Sequence, residues 1–161
     1  MQKGLNTICV HSGEVIDEVY KGAVSPMYLS TAYAYDGLET SIYPRYFNSP
    51  NQHKLSEKIA ELEHAESALI FGSGMAAITT AMLSVLKTGD HVILQNQIYG
   101  GTRNFIIEEC KHYGITYDFV DVNNCSALKS SLKPETKLIY IETPSNPLLE
   151  VTDIAAVTKF A

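Results

Sequence analysis

From Asn51 onward, apolar positions recur with periods that switch repeatedly between helix and strand. Leu55, Ile59 and Leu62 fall at i, i+4 and i+7, with Lys54, Glu57, Lys58 and Glu61 among the remaining positions. That spacing predicts an amphipathic helix, with Pro50 tolerated in its first turn. The apolar run Ser67–Phe71 predicts a short strand, which Gly72-Ser73-Gly74 connects to a helix over Met75–Leu86. This second helix is apolar on most faces and is therefore expected to be buried, with Gly89 at its C′ position. His91–Gln95 and Ile115–Val120 predict two further strands, separated by a helix from Thr102 to Tyr113 that Gly114 stops. Asn123 or Asn124 suits the cap of a short helix through Leu132, Leu138–Glu142 is a fourth strand, and Thr152 suits the cap of a last helix reaching Ala161.

Strands written as continuous apolar runs, alternating with helices, imply an α/β fold with a mostly parallel sheet covered on both faces. Ligands of such sheets sit beyond the carboxyl ends of the strands. Gly72–Met75, Asn96–Thr102 and Thr143–Leu149 leave those ends and are expected to converge on one site. Residues 1–50 are different. They carry Tyr20, Tyr28, Tyr33, Tyr35 and Tyr43 with Pro26, Pro44 and Pro50, and no sustained period of 3.6 or 2. We read them as an extended arm that lies on its own domain or on a neighbouring subunit, with the regular domain over 51–161.

Composition narrows the function classes. The 161 residues are 45% hydrophobic and 19% charged, within the range of one globular domain. A formal net charge of −6, with no run of Lys or Arg, argues against a nucleic-acid partner. No apolar stretch is long enough to span a membrane and no apolar leader stands at Met1, so a cytoplasmic location is expected. Cys9, Cys110 and Cys125 are widely spaced, without the spacing of a metal site or a disulfide framework. His11, His53, His64, His91 and His112 show no catalytic pairing and read as surface or structural residues.

A glycine-bearing turn entering a helix is an anion site, because the free N–H groups of the first turn and the helix dipole both favour negative charge. Gly72-Ser73-Gly74-Met75-Ala76-Ala77 fits G-x-G-x-x-A, the pattern of a dinucleotide site. The ribose-binding acid expected at the end of the second strand is replaced by Gln95-Asn96-Gln97, which disfavours that ligand. No G-x-x-x-x-G-K-[ST] is present either. Tyr99, beside Gly100 and Gly101, can lay an aromatic face on a ligand ring; taken alone it is also an ordinary loop tyrosine. Asn146, held between Pro144 and Pro147, can present an amide, or belong to a simple proline-rich turn.

Taken together, the Ser-Gly-Met turn, Tyr99-Gly-Gly-Thr102 and Glu142-Thr-Pro-Ser-Asn-Pro147 resemble the transsulfuration enzymes, the pyridoxal-phosphate (PLP) enzymes of cysteine and methionine metabolism. Val10-His-Ser-Gly13, Ser25-Pro26 and Tyr43-Pro-Arg45 extend the resemblance along nearly the whole chain. It implies a fold-type-I PLP-transferase-like architecture and a reaction at Cβ or Cγ of a sulfur amino acid, such as cystathionine or an O-acylhomoserine. Synthase, γ-lyase and β-lyase are not separated by these residues. By the resemblance, Ser73, Gly74 and Met75 hold the cofactor phosphate. Tyr99 stacks on the pyridine ring and takes part in proton transfer. Asn146 contacts the ring 3′ oxygen, with Glu142 supporting that region. Tyr43 and Arg45 reach the phosphate of a neighbouring subunit, which implies a homo-oligomer, in this family a dimer of dimers.

Two departures stand out. The family's Tyr-x-Arg-x-x-Asn-Pro-Thr reads here Tyr43-Pro-Arg-Tyr-Phe-Asn48-Ser-Pro50, and Gly101 stands where methionine γ-lyases carry Cys. The Schiff-base lysine and the acid that pairs with the pyridinium nitrogen lie beyond the Asn-Pro loop in this family, so the chain reads as its N-terminal part. Lys159 follows a threonine as the family lysine does, but only a dozen residues after the loop, and is expected on the surface. The alternative is a non-catalytic interaction module derived from the family.

Overall fold

The computed structural model describes residues 3–161, which form two compact units, one ending at Phe71 and the other spanning Gly72–Ala161.

The first unit contains two helices, α1 (Leu5–His11) and α2 (Pro50–Leu62), and a 3-10 turn at Pro44–Tyr46. α1 corrects the expectation of an arm without helices; its seven residues are too few to establish a period. It packs on α2 through Ile8 and through the buried Ser12, whose hydroxyl donates to Glu61 Oε2. Gly13 follows at φ +66°, where any Cβ would run into the carbonyl oxygen of Lys54, so this close approach requires glycine. α2 begins as its sequence demands. Ser49 and Gln52 form a reciprocal capping box and Pro50 occupies the first helical position. The extra residue between Asn48 and Pro50 is therefore the N-cap itself. Elsewhere the described residues before α2 have no regular secondary structure and are tied down locally: Asn51 exchanges hydrogen bonds with the backbone of Tyr28 at 3.1 and 2.7 Å.

The second unit runs α3 (Gly74–Val85), β1 (His91–Gln95), α4 (Gly100–Glu108), β2 (Thr116–Val120), α5 (Cys125–Ser131), β3 (Thr136–Tyr140) and α6 (Ile154–Thr158). The three strands are parallel in the order β2-β1-β3. β1 is central, and all five of its residues are buried. Val92 and Leu94 join a core with Met82, Leu86, Ile98, Ile106, Cys110 and Ile115. Ile93 points the other way, into a core with Val120, Val122, Leu128 and Val157. Alternate side chains of one strand thus feed cores on opposite faces, which is why β1 reads as an unbroken apolar run.

Several expectations need correction. Residues 67–71 form no strand, because no ladder partner for them exists among the described residues, and Leu69 is exposed. α3 is not buried all round. Only Met82 is fully covered, while Ala77, Ile78, Ala81 and Val85 line an open apolar groove with Leu138 and Tyr140. α3 also ends at Val85, so Gly89 lies past the cap in the turn into β1. α4 starts at Gly100 and stops at Glu108, with turns continuing to Gly114. Asn124 caps α5, accepting from Ser126 and Ala127 N–H at 3.1 Å. α6 is capped by Asp153 rather than Thr152, which is buried and bonded elsewhere.

His91 is structural. Thr136 Oγ1 accepts from Lys133 N–H and lies 2.8 Å from His91 Nδ1, while Nε2 lies 3.2 Å from both Asp118 Oδ2 and Lys133 Nζ. Lys133 Nζ meets the same carboxylate at 2.6 Å. Burial, followed by the Lys133 charge, holds the imidazole below its usual pKa, against the opposing pull of Asp118. All three cysteines are free, and Cys110 is buried.

Candidate functional site

The carboxyl ends of β1 and β3 and the N-terminus of α3 bring three segments of the second unit together. Ser73 caps α3 in extended conformation, and its hydroxyl oxygen accepts from Ala76 N–H at 3.1 Å, leaving the hydroxyl proton free to donate. Among the described residues no acceptor meets the N–H groups of Gly74 and Met75. These are the first-turn donors that an anion completes, at the positive end of a twelve-residue helix. Nothing lies within 4 Å of the positions where a Cβ would stand on Gly72 or Gly74, so the turn is open to a ligand.

Tyr99 is the N-cap residue of α4 and is 46% exposed. Its ring edge and the Met75 sulfur both lean over Gly101. A Cβ there would sit 2.5 Å from Tyr99 Cε1 and 3.0 Å from Met75 Sδ, so the ring can hold this place only over glycine. Beneath them Thr102 is fully buried, with its hydroxyl 4.0 Å from Met75 Sδ. The Tyr99 backbone is held by Glu142, whose Oε2 accepts Tyr99 N–H at 2.9 Å while Oε1 accepts the Tyr140 hydroxyl at 2.9 Å. Burial pushes the Tyr140 phenol up to about 12. Its hydrogen bond to Glu142 adds to the rise, and a hydrogen bond from Thr102 works the other way. Tyr140 therefore stays protonated and fixes the carboxylate rather than exchanging protons near neutral pH.

Residues 143–150 form a loop closed on itself. Ser145 is buried and donates its N–H to Glu150 O at 2.9 Å, while its hydroxyl oxygen accepts Glu150 N–H at 3.1 Å. The Thr143-Pro144 and Asn146-Pro147 bonds are both cis. Asn146 is exposed on this loop, and none of the loop's hydrogen bonds uses its side chain.

The structure thus assembles Ser73, Gly74, Met75, Tyr99 and Glu142 in one place. Tyr43 and Arg45 belong to the first unit, where both are exposed at the 3-10 turn; Tyr43 stacks edge-on against Tyr46 with centroids 5.3 Å apart. Lys159 is exposed at the C-cap of α6. Sequence reasoning missed Gln95 and Tyr140, and took Thr102 only as the end of the Tyr-Gly-Gly-Thr motif. A Tyr at the end of an apolar strand and a Thr inside an α-helix carry no positional signal of a shared hydrogen-bond network.

The residues present fit PLP. Open N–H donors suit its phosphate, and a half-exposed aromatic ring beside them suits its pyridine. Comparison with known proteins points the same way. A family model described as Cys/Met metabolism PLP-dependent enzyme matches residues 6–161. A probable cystathionine gamma-synthase of Herpetosiphon aurantiacus is 37% identical over 100% of this chain and 51% of its own length. A cystathionine beta-lyase of Lactococcus lactis subsp. cremoris is 42% identical over 98% of this chain and 42% of its own length. Among solved structures, metB from Corynebacterium glutamicum superposes with a TM-score of 0.89 at 37% identity, covering 98% of this chain and 42% of that one. The chain spans about half the length, or somewhat less, of the relatives it matches.

Proposed function

The chain belongs to the PLP-dependent enzymes of cysteine and methionine metabolism, and on that premise we propose that it supplies the phosphate- and ring-facing wall of the cofactor site in an enzyme of the cystathionine γ-synthase or lyase type. The observation that carries this reading is the packing of Tyr99 and Met75 over Gly101, next to the unfilled N–H donors of Gly74 and Met75.

Bound PLP supplies an electron sink that stabilises negative charge beside Cα of an amino acid. The residues of this chain position it. Gly74 and Met75 donate N–H groups, and Ser73 its hydroxyl, to the phosphate. The Tyr99 ring covers one face of the pyridine and excludes water from it, and its hydroxyl holds or moves a proton at the substrate. Asn146 donates its amide to the ring 3′ oxygen. Residues 1–50 act as an arm onto a second subunit, where the Arg45 fork and the Tyr43 hydroxyl reach the neighbour's phosphate; a guanidinium suits that group because it offers paired donors. The assembly is a homo-oligomer, a dimer of dimers, and works in the cytoplasm on a sulfur amino acid such as cystathionine or an O-acylhomoserine. No residue of this chain is assigned as the Schiff-base lysine.

Equilibrium dialysis of the chain against PLP and against pyridoxal tests the phosphate cradle. Retention of PLP but not of pyridoxal, lost on Gly74→Pro, is the expected result; equal retention of both refutes the cradle. Borohydride treatment of the mixture is expected to leave no stoichiometric adduct on a single lysine.

A further inference from the structure

Gln95 ends the apolar strand β1, yet it is only 3% exposed. Side chains alternate along a strand, so Gln95 shares the face of Ile93, on the side of α5 and α6. Its Oε1 accepts two hydrogen bonds, from Glu142 N–H at 3.2 Å and from the Thr152 hydroxyl at 3.1 Å. Thr152 is itself buried, and its N–H donates to Thr143 Oγ1 at 3.1 Å. One amide oxygen therefore gathers the end of β1, the residue that leaves β3 and the approach to α6. The Glu142 backbone is held on one side by this oxygen, and the Glu142 carboxylate holds Tyr99 N–H on the other.

The orientation of the amide is not free. Turning it over would set Nε2–H against Glu142 N–H, donor against donor. The observed orientation leaves Nε2 buried with no acceptor among the described residues. A buried unpartnered donor is unfavourable, and an apolar side chain of the same length would avoid it. What an apolar side chain lacks is the acceptor. The Tyr99 carbonyl is tied into α4 by Arg103 N–H at 3.0 Å, and Glu142 is the residue that holds its N–H, on the side where the chain enters from β1.

We propose that Gln95 is a positioning residue for the Tyr99 ring, acting through Glu142. The proposal rests on the reading of Tyr99 as the ring-stacking residue, but the relay is measured without cofactor. The full chain, carrying isotopically labelled tyrosine and assigned through Tyr99→Phe, gives the Tyr99 ring signal by NMR. Gln95→Met removes the acceptor, and Gln95→Asn draws it back by one methylene. Both are expected to shift and broaden the Tyr99 signal and to speed exchange of the Tyr99 amide by about tenfold or more. The Tyr117 signal, packed against Phe119 in the opposite core, stays in place as the fold control. Gln95→Glu keeps an acceptor oxygen and restores the wild-type Tyr99 signal. If Gln95→Met does not fold, Gln95→Asn decides. A folded Gln95→Met or Gln95→Asn chain with an unchanged Tyr99 signal and amide overturns the proposal, as does a Gln95→Glu chain displaced as far as Gln95→Met. Failure of PLP to perturb Tyr99 in the unsubstituted chain would instead sink the cofactor reading and leave the relay standing.

Discussion

Tyr140 offers a way to read the site's geometry without any ligand. Its phenol is pushed up to about 12, first by burial and then by the hydrogen bond to Glu142, whereas an unfolded tyrosine ionises near 10. The folded state therefore keeps the proton longer than the unfolded state. Its contribution is fully present below pH 10 and is lost as the pH rises from about 10 to about 12. That interval corresponds to about 2–3 kcal/mol at most, and about 2 kcal/mol is the fair expectation for a partly buried group. Alkaline difference spectra of the chain and of Tyr140→Phe isolate this one phenol among ten tyrosines. The missing component should titrate near 12, and urea midpoints of the two proteins should converge over the same range. Glu142→Gln should draw the Tyr140 midpoint back towards 10, because the charged acceptor is gone. A missing component that titrates near 10, as an unfolded tyrosine does, would refute the placement of Tyr140 against Glu142 and with it the anchoring of Tyr99.

Three further outcomes follow from the packing. Ser73→Ala removes the cap of α3 and is expected to cost about 1 kcal/mol in urea unfolding, and to weaken PLP retention as well, since the proposed phosphate cradle uses the same hydroxyl. Gly101→Ala is expected to rotate the Tyr99 ring off Met75 with little loss of stability, because only the end of a half-exposed side chain must move; the Tyr99 NMR signal reports it. His91 is held below its usual pKa chiefly by burial and next by Lys133, so its contribution is present above about pH 6.5 and lost as the pH falls below that value. Urea midpoints should drop between pH 7.5 and pH 5.5, and the drop should be shallower in His91→Gln.

Which features the sequence disclosed depended on whether a pattern is local or tertiary. β1 was legible because both of its faces are buried, and a strand sandwiched between cores has no polar alternation to obscure it. The cap of α5 was narrowed to Asn123 or Asn124 because a cap bonds to residues two or three positions on, and the turn before α3 was legible from its glycines rather than from the Ser73 cap. Residues 67–71 have strand composition, but a strand is a property of a pair, and the described residues offer no partner. Thr152 looked like a cap by residue type. Its hydroxyl is instead spent on Gln95, and Asp153, one position later, takes the helix end.

Gln95 shows the same limit at the site itself. Against the requirement for a ribose acid, the polar end of β1 told only that a dinucleotide was the wrong ligand. What Gln95 does is defined by Glu142 and Thr152, 47 and 57 residues away. Hydrogen bonds of that span have no period, and nothing in the composition around Gln95 marks them. The amide is visible only once the strands are in register, as a donor left without an acceptor so that its oxygen can hold the backbone behind Tyr99.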